Sequence, residues 1–207
     1  MSVATQTEKQ HKLRQVCREN RKLVVGSLKQ IHASKALRQL LLSKLLINKP
    51  ATKQKIAVFL DNDGELPTQK LIQTLWKMGK QVYLPKIQPN QTLLFIKYTP
   101  SSKLLLNKYA IKEPASGQTL TADKLDIIFI PLTCFDSQGN RIGMGGGFYD
   151  KSLSFKNQRL FSNKQQPELI GWAHHCQQVK KITTQSWDIR LNWVFTEQKT
   201  FNFQRPL

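Results

Sequence analysis

The feature that most restricts the fold is a strand, a helix and a second strand laid end to end between residues 55 and 85. Lys55-Ile56-Ala57-Val58-Phe59-Leu60 is an apolar run of strand length that enters the turn-forming, acidic loop Asp61-Asn62-Asp63-Gly64. Pro67 and Thr68 open a segment whose Leu71, Ile72, Leu75 and Trp76 recur at helical spacing, and Gly79 suits the position just past a helix end. Gln81-Val82-Tyr83-Leu84-Pro85 supplies the second strand. A helical crossover of this length joins parallel neighbours, and a parallel sheet is covered by helices because both its faces are apolar. Asp126 to Pro131 is the most apolar run and is expected to be central in that sheet. Further strands are expected at Thr92 to Tyr98, Leu169 to Ala173 and Leu191 to Phe195.

Two helices are expected ahead of this unit. The first runs from Glu8 to about Leu23, with Leu13, Val16, Cys17 and Val24 at helical spacing. The second runs from Ser27 to Ile47, with Ile31, Ala33, Leu37, Leu40, Leu41 and Leu45 as its buried stripe, and Asn48-Lys49-Pro50 ends it. Residues 1–7 are expected to be a flexible tail, 99–121 to be mostly irregular, and Tyr149 to Phe155 to form a short helix. The expected fold is α/β: a single domain over 1–207 with a largely parallel β-sheet flanked by helices on both faces, a Rossmann-like three-layer arrangement.

Composition narrows the function. Lys and Arg number 32 against 13 Asp and Glu, a formal charge of +19, which favours capture of anions. Cys17, Cys134 and Cys176 are odd in number and form no CxxC, which fits a reducing compartment. The N-terminus has no apolar signal region, and Leu40 to Ile47 is too short to span a bilayer. A cytoplasmic protein without membrane association is expected. A nucleic-acid partner would suit the charge, but the chain has neither zinc-finger spacing nor an RNP-like aromatic pattern.

The chemistry is concentrated in Arg141-Ile142-Gly143-Met144-Gly145-Gly146-Gly147-Phe148-Tyr149-Asp150, which holds four of the chain's ten glycines. The segment follows the strand expected to be central and precedes a helix, where open α/β sheets bind ligands. Glycine admits positive φ and lets successive N–H groups close on an anion. Arg141 offers a charged fork to phosphate oxygens, and Asp150 a hard oxygen to Mg²⁺. The needs of a metal-bound nucleoside triphosphate are met, although neither a Walker A sequence nor G-x-G-x-x-G is present.

Phe135-Asp136-x-x-Gly139-x-Arg141-Ile142-Gly143-x-Gly145-x-Gly147-Phe148-Tyr149-Asp150 resembles the signature of the 5-formyltetrahydrofolate cyclo-ligase family. Four other blocks resemble that family in the same order. They are Ala57 to Leu60 with Gly64-Glu65-Leu66-x-Thr68, Gly79 to Pro85, Asp126 to Pro131, and Gly171-x-Ala173-His174-x-Cys176-Gln177 with Trp187-Asp188. The resemblance implies cyclisation of 5-formyltetrahydrofolate to 5,10-methenyltetrahydrofolate, with ATP as co-substrate and Mg²⁺ as cofactor. It further implies that Lys9, Gln10, Lys12, Leu13, Arg14 and the run Arg141 to Tyr149 (Ile142, Gly143, Met144, Gly145, Gly146, Gly147 and Phe148 between them) bind ATP. Arg14, Arg18, Leu60, Glu65 and Met144 to Phe148 would contact the folate, with or without a polyglutamate chain, and Asp150 and Asp188 would hold the metal. Gln10 stands where a Lys is usual in the family. A monomer is expected.

The neighbouring features have plainer readings. His174, His175 and Cys176 are adjacent, and on a strand they would point to alternate faces and could not share one ion. Trp172 and Trp193 are expected in the core, and Asp61 and Asp63 in a turn.

Overall fold

The computed structural model describes residues 3–47, 54–157 and 166–204. In chain order the elements are α1 (Val3–Lys22), α2 (Gly26–Leu42), β1 (Lys55–Ala57), α3 (Gln69–Lys77), β2 (Gln81–Ile87) and β3 (Leu93–Lys97). There follow β4 (Leu104–Leu106), β5 (Lys112–Pro114), β6 (Thr119–Leu120), β7 (Ile127–Ile130), β8 (Cys134–Phe135) and β9 (Arg141–Ile142). The last are α4 (Phe148–Ser152), β10 (Glu168–Trp172), β11 (Trp193–Phe195) and β12 (Thr200–Asn202). Eight strands form one sheet in the order β12-β11-β10-β7-β1-β2-β3-β6. The central run from β11 to β2 is parallel throughout, and β12, β3 and β6 add antiparallel at the edges.

The β1–α3–β2 crossover forms as its spacing dictates. Leu71, Ile72 and Leu75 turn one face of α3 into the core, each side chain stabilising the fold by roughly 1.5–3 kcal/mol through burial. Asp61 Oδ1 accepts from both the backbone N–H and the hydroxyl of Thr68, fixing where the helix starts. At the other end Gly79 takes φ +69, its N–H bonding Trp76 O at 2.9 Å while Lys80 N–H bonds Leu75 O at 3.0 Å. These paired bonds stop the helix, and only glycine takes that left-handed position without strain.

β7 is buried along its whole length. Ile127 and Phe129 point to the face covered by α2 and α3, while Ile128 and Ile130 point to the opposite face, where Leu153 after α4 and Leu125 pack. The expected central position and two-sided burial hold, with longer helices on the first face and shorter helical pieces on the second.

Several local expectations are corrected. α1 begins at Val3, so the expected tail is helical from there; helix propagation past Glu8 costs little once a nucleus exists. α2 stops at Leu42, with Lys44 at φ +60 in the turn beyond, and the expected Asn48-Lys49-Pro50 stop lies outside the described residues. Its buried stripe is Ala33, Ala36 and Leu40, whereas Ile31 and Leu41 are exposed because they lie off that seven-residue line. Residues 99–121 contain the β4–β5 hairpin and the edge strand β6. The glycine run does not follow β7 directly, because the β8–β9 hairpin comes between them.

Candidate active site

The parallel strands deliver three loops to their carboxyl ends. One follows β1 through Asp61 to Glu65, one follows β7 into the hairpin and the glycine run, and one follows β10 at His174. Asp136, buried in the hairpin, is its organiser. Its Oδ1 accepts from the N–H groups of Gln138 and Asn140, and its Oδ2 from Asn140 Nδ2 and from Ile182 N–H in the segment beyond β10. The hairpin and that late segment are thereby fastened together ahead of Arg141.

The glycine run leaves β9 as a bare turn. Gly145 sits at φ +106, a conformation that L side chains rarely adopt, and a Cβ on Gly146 would lie 2.5 Å from the Phe148 ring. Phe148 therefore folds back over the turn, and its ring also meets Tyr109 edge-on at 5.9 Å between centroids. α4 is a single short turn with Gly147 as its N-cap. The expected contribution of a helix N-terminus is thus small, and any anion would be met by the loop's own amides and by arginines.

α1 supplies those arginines from one face. Arg14 Nε donates to Gly143 O at 2.8 Å. Arg18 Nε donates to Asp63 Oδ2 at 2.8 Å. Arg21 is fully buried, and its guanidinium bonds Asp63 O, Asp63 Oδ2 and Leu132 O, lies 3.8 Å from Glu65 Oε1, and touches Met144 Sδ at 3.7 Å. Arg21 joins α1, the β1 loop and the glycine run, and the sequence reading missed it. Its spacing of seven from Arg14 and three from Arg18 was the available signal. Asp63 is more than the expected turn residue. Burial alone would raise its pKa, but Arg18, Lys22 and Arg21 hold it well below the usual carboxylate range.

Glu65 is buried behind this cluster. Loss of solvent pushes its carboxyl up to about 7, although Asn62 N–H and the Arg21 charge act in the other direction. Burial also raises the Tyr149 hydroxyl, with the Glu65 charge acting in the same direction and the Arg141 charge in the other.

Arg141, with its side chain 5% exposed, is ion-paired to Asp150, Nη2 to Oδ1 at 2.7 Å. Its Nε is buried with no hydrogen-bond partner among the described residues. Asp150 Oδ1 also accepts from Ile189 N–H at 3.3 Å, which brings Asp188 beside it. Asp188 Oδ2 accepts from Gln185 N–H. The Asp150 carboxylate offers the hard oxygens that Mg²⁺ prefers, Asp188 lies one residue from its Ile189 contact, and the unpartnered Nε offers a donor to an incoming oxygen. The residues fit a magnesium–phosphate group, with the qualification that Arg141 and Asp150 first neutralise one another.

Leu60 lies on the other side of the β1 loop. With Asp61, Ile72, Trp76, Tyr98 and Ile111 it lines a cavity of about 450 Å³, a size suited to one small organic ligand. Toward the start of α1, Lys9 and Lys12 are exposed, Leu13 packs near Cys17 and Ile142, and Gln10 Nε2 donates to Thr183 O at 2.8 Å. Arg14 thus meets the glycine run, Arg18 and Glu65 meet at the Asp63–Arg21 cluster, and Asp150 meets Arg141 and the backbone beside Asp188. Lys9, Gln10 and Lys12 stand along α1 before Arg14, and Leu60 opens on the cavity.

His174 lies in a loop and not on a strand. It follows β10 and precedes a 3₁₀ turn at His175–Gln177, whose Gln177 amide bonds Leu132 O and Thr133 O.

Comparison with known proteins identifies the family and the fold. Residues 6–197 match the family described as the 5-formyltetrahydrofolate cyclo-ligase family. The chain is 45% identical over 152 residues to the 5-formyltetrahydrofolate cyclo-ligase of Escherichia coli (strain K12), covering 72% of this chain and 80% of that one. It is 41% identical over 142 residues to the enzyme of the same name from Haemophilus influenzae, covering 67% and 73%. In fold it is similar to the NMR structure of Aquifex aeolicus 5,10-methenyltetrahydrofolate synthetase, with a TM-score of 0.75 and 22% identity, covering 96% of this chain and 94% of that one. The chain belongs to the 5-formyltetrahydrofolate cyclo-ligase family.

Proposed function

We propose that this chain uses ATP and Mg²⁺ to close the formyl group of 5-formyltetrahydrofolate onto N10, releasing 5,10-methenyltetrahydrofolate, ADP and phosphate. Family membership supports the reaction. The observation that carries it is the bare turn at Gly145, flanked by Arg14 and by an Arg141 whose buried Nε has no partner among the described residues, with Glu65 linked to the same run through Arg21.

The N5-formyl oxygen leaves poorly as hydroxide. Its attack on the γ-phosphorus breaks the bond to ADP and gives an iminium phosphate. N10 then attacks the formyl carbon and loses its proton, and phosphate departs with the C–O bond. Such a transfer asks the protein for positioning and charge stabilisation, with no protein nucleophile. Arg141 is buried, so its charge acts on the transferring group with little screening by water. Gly143 to Phe148 bring backbone N–H groups to the same oxygens. Lys9, Gln10, Lys12, Leu13 and Arg14 hold the nucleotide along α1. Arg14, Arg18, Leu60 and Glu65 hold the folate, and the Glu65 carboxyl faces the pterin N–H groups. Mg²⁺, held by Asp150 and Asp188, would neutralise triphosphate charge. On nucleotide entry Arg141 would exchange Asp150 for phosphate, which would leave the Asp150 carboxylate free to hold the cation.

The test is formation of the methenyl-folate absorbance from 5-formyltetrahydrofolate, ATP and Mg²⁺, with ATP and Mg²⁺ omitted in turn. Product dependent on both is expected. Absence of product, together with nucleic-acid binding that weakens steeply with salt, would replace this reading with one based on the +19 charge.

A further inference from the structure

Away from the glycine run, three side chains from distant parts of the chain converge at the carboxyl ends of β10 and β11. His32 comes from α2, His174 from the residue pair after β10, and Glu197 from the turn between β11 and β12. The Nδ1 atoms of His32 and His174 face one another at 3.0 Å, and His32 Nδ1 is 3.7 Å from Glu197 Oε1. One ligand atom from each residue lies within 4.8 Å of the other two. The imidazole rings are tilted at 58°, so the nitrogen edges meet while the faces do not stack.

We infer that His32, His174 and Glu197 form a binding site for a zinc-class divalent cation. Two imidazole nitrogens directed at one point leave room for only one proton between them, whereas a metal ion engages both lone pairs and the carboxylate together. Two nitrogens bound to tetrahedral zinc at 2.0–2.1 Å stand roughly 3.3 Å apart. The observed 3.0 and 3.7 Å lie on either side of that separation, the third pair lies within 4.8 Å, and rotations of His32 and Glu197 would close the difference. Two nitrogens and one oxygen suit zinc or a similar borderline ion and do not suit Mg²⁺ or Ca²⁺, which prefer oxygen throughout. Three protein ligands leave a fourth position for water.

The surroundings fix the Glu197 carboxylate and the backbone of His174, while His174 Nε2 is buried with no hydrogen-bond partner among the described residues. Glu197 Oε2 accepts from His175 N–H at 2.9 Å, which leaves Oε1 for the ion. Gln177 Oε1 accepts from His174 N–H at 2.9 Å, and the Gln177 amide is bonded to Leu132 O and Thr133 O. His174 is fully buried, while the His32 and Glu197 side chains are 16% and 8% exposed, so an ion would enter past His32. Lys29 and Arg21 are positive charges that act on His174. The Glu197 carboxylate is the one negative ligand set against them and is expected to dominate affinity.

The site is separate from the proposed magnesium pair, and a bound ion would tie α2 to the ends of β10 and β11. The test uses the full chain freed of metal by chelation and titrated with zinc chloride alone. Elemental analysis, calorimetry and thermal unfolding are the readouts, and cobalt substitution reports coordination. One equivalent per chain, a raised Tm and a cobalt spectrum of low coordination number are expected. The variants H32A and E197Q, which change partly exposed side chains, should weaken zinc binding about tenfold or more while their metal-free Tm stays near that of the parent. Failure to bind zinc would overturn the inference. So would unchanged affinity in both variants, which would place the ion elsewhere.

Discussion

At the scale of single residues, Arg141 and Asp150 are the pair on which the chemistry turns. Arg141→Ala should lower turnover on the order of a hundredfold, as for other groups that stabilise transferring charge. Asp150→Asn should raise the Mg²⁺ concentration needed for half-maximal rate. A fall in kcat with an unchanged metal titration would instead make Asp150 a residue that positions Arg141, the role its 2.7 Å ion pair already shows. Glu65 allows a test without substrate. Its carboxyl is pushed up to about 7 from an ordinary 4.5, mainly by burial. Between those values the folded chain keeps a proton that the unfolded chain has released, so the stability from this group is full below about 4.5 and is lost as pH rises through about 7. Glu65→Gln should remove that part of the slope in urea unfolding measured across this range, and should weaken folate binding more than ATP binding. Equal slopes in both proteins would contradict the burial of a protonated Glu65.

At the scale of elements, α1 is the member that completes the site. Its Arg14, Arg18 and Arg21 reach the glycine run and the β1 loop, while Gln10 reaches Thr183 beyond β10. Arg21→Leu should destabilise the fold by roughly 1–3 kcal/mol in denaturant titration, because Asp63 and the Leu132 carbonyl lose their buried donor while Arg18, Lys22 and Gln177 remain. A change below 1 kcal/mol would mean that water replaces the guanidinium. The helical nature of α1 was legible from Leu13 and Cys17, yet the burial of Arg21 was not. A helix with one apolar stripe shows which face turns inward but not which polar residue meets a carboxylate from another loop. The β8–β9 hairpin was also hidden, since two-residue strands have too little periodicity to register and depend on Asp136 for their turn.

At the scale of the whole molecule, the +19 charge should act on encounter with anionic ligands. KM for ATP and for folate is expected to rise with ionic strength while kcat changes little, since salt screens long-range attraction more than buried contacts. KM values insensitive to salt would remove this use of the charge. Among the described residues, no helix is long and apolar enough to cross a membrane. The crossover from β1 to β2, the central place of β7, the stop at Gly79 and the glycine turn were all readable from the chain alone. Each depends on spacing within a short window and on the fixed handedness of L-residues, which act before any distant contact forms. Tertiary structure alone decided that Arg21 would be buried against a carbonyl 111 residues away, and that His32 would face His174 across 142 residues. Such pairs carry no local pattern, because their partners are chosen by how the sheet order folds the chain back and by how much water that closure removes.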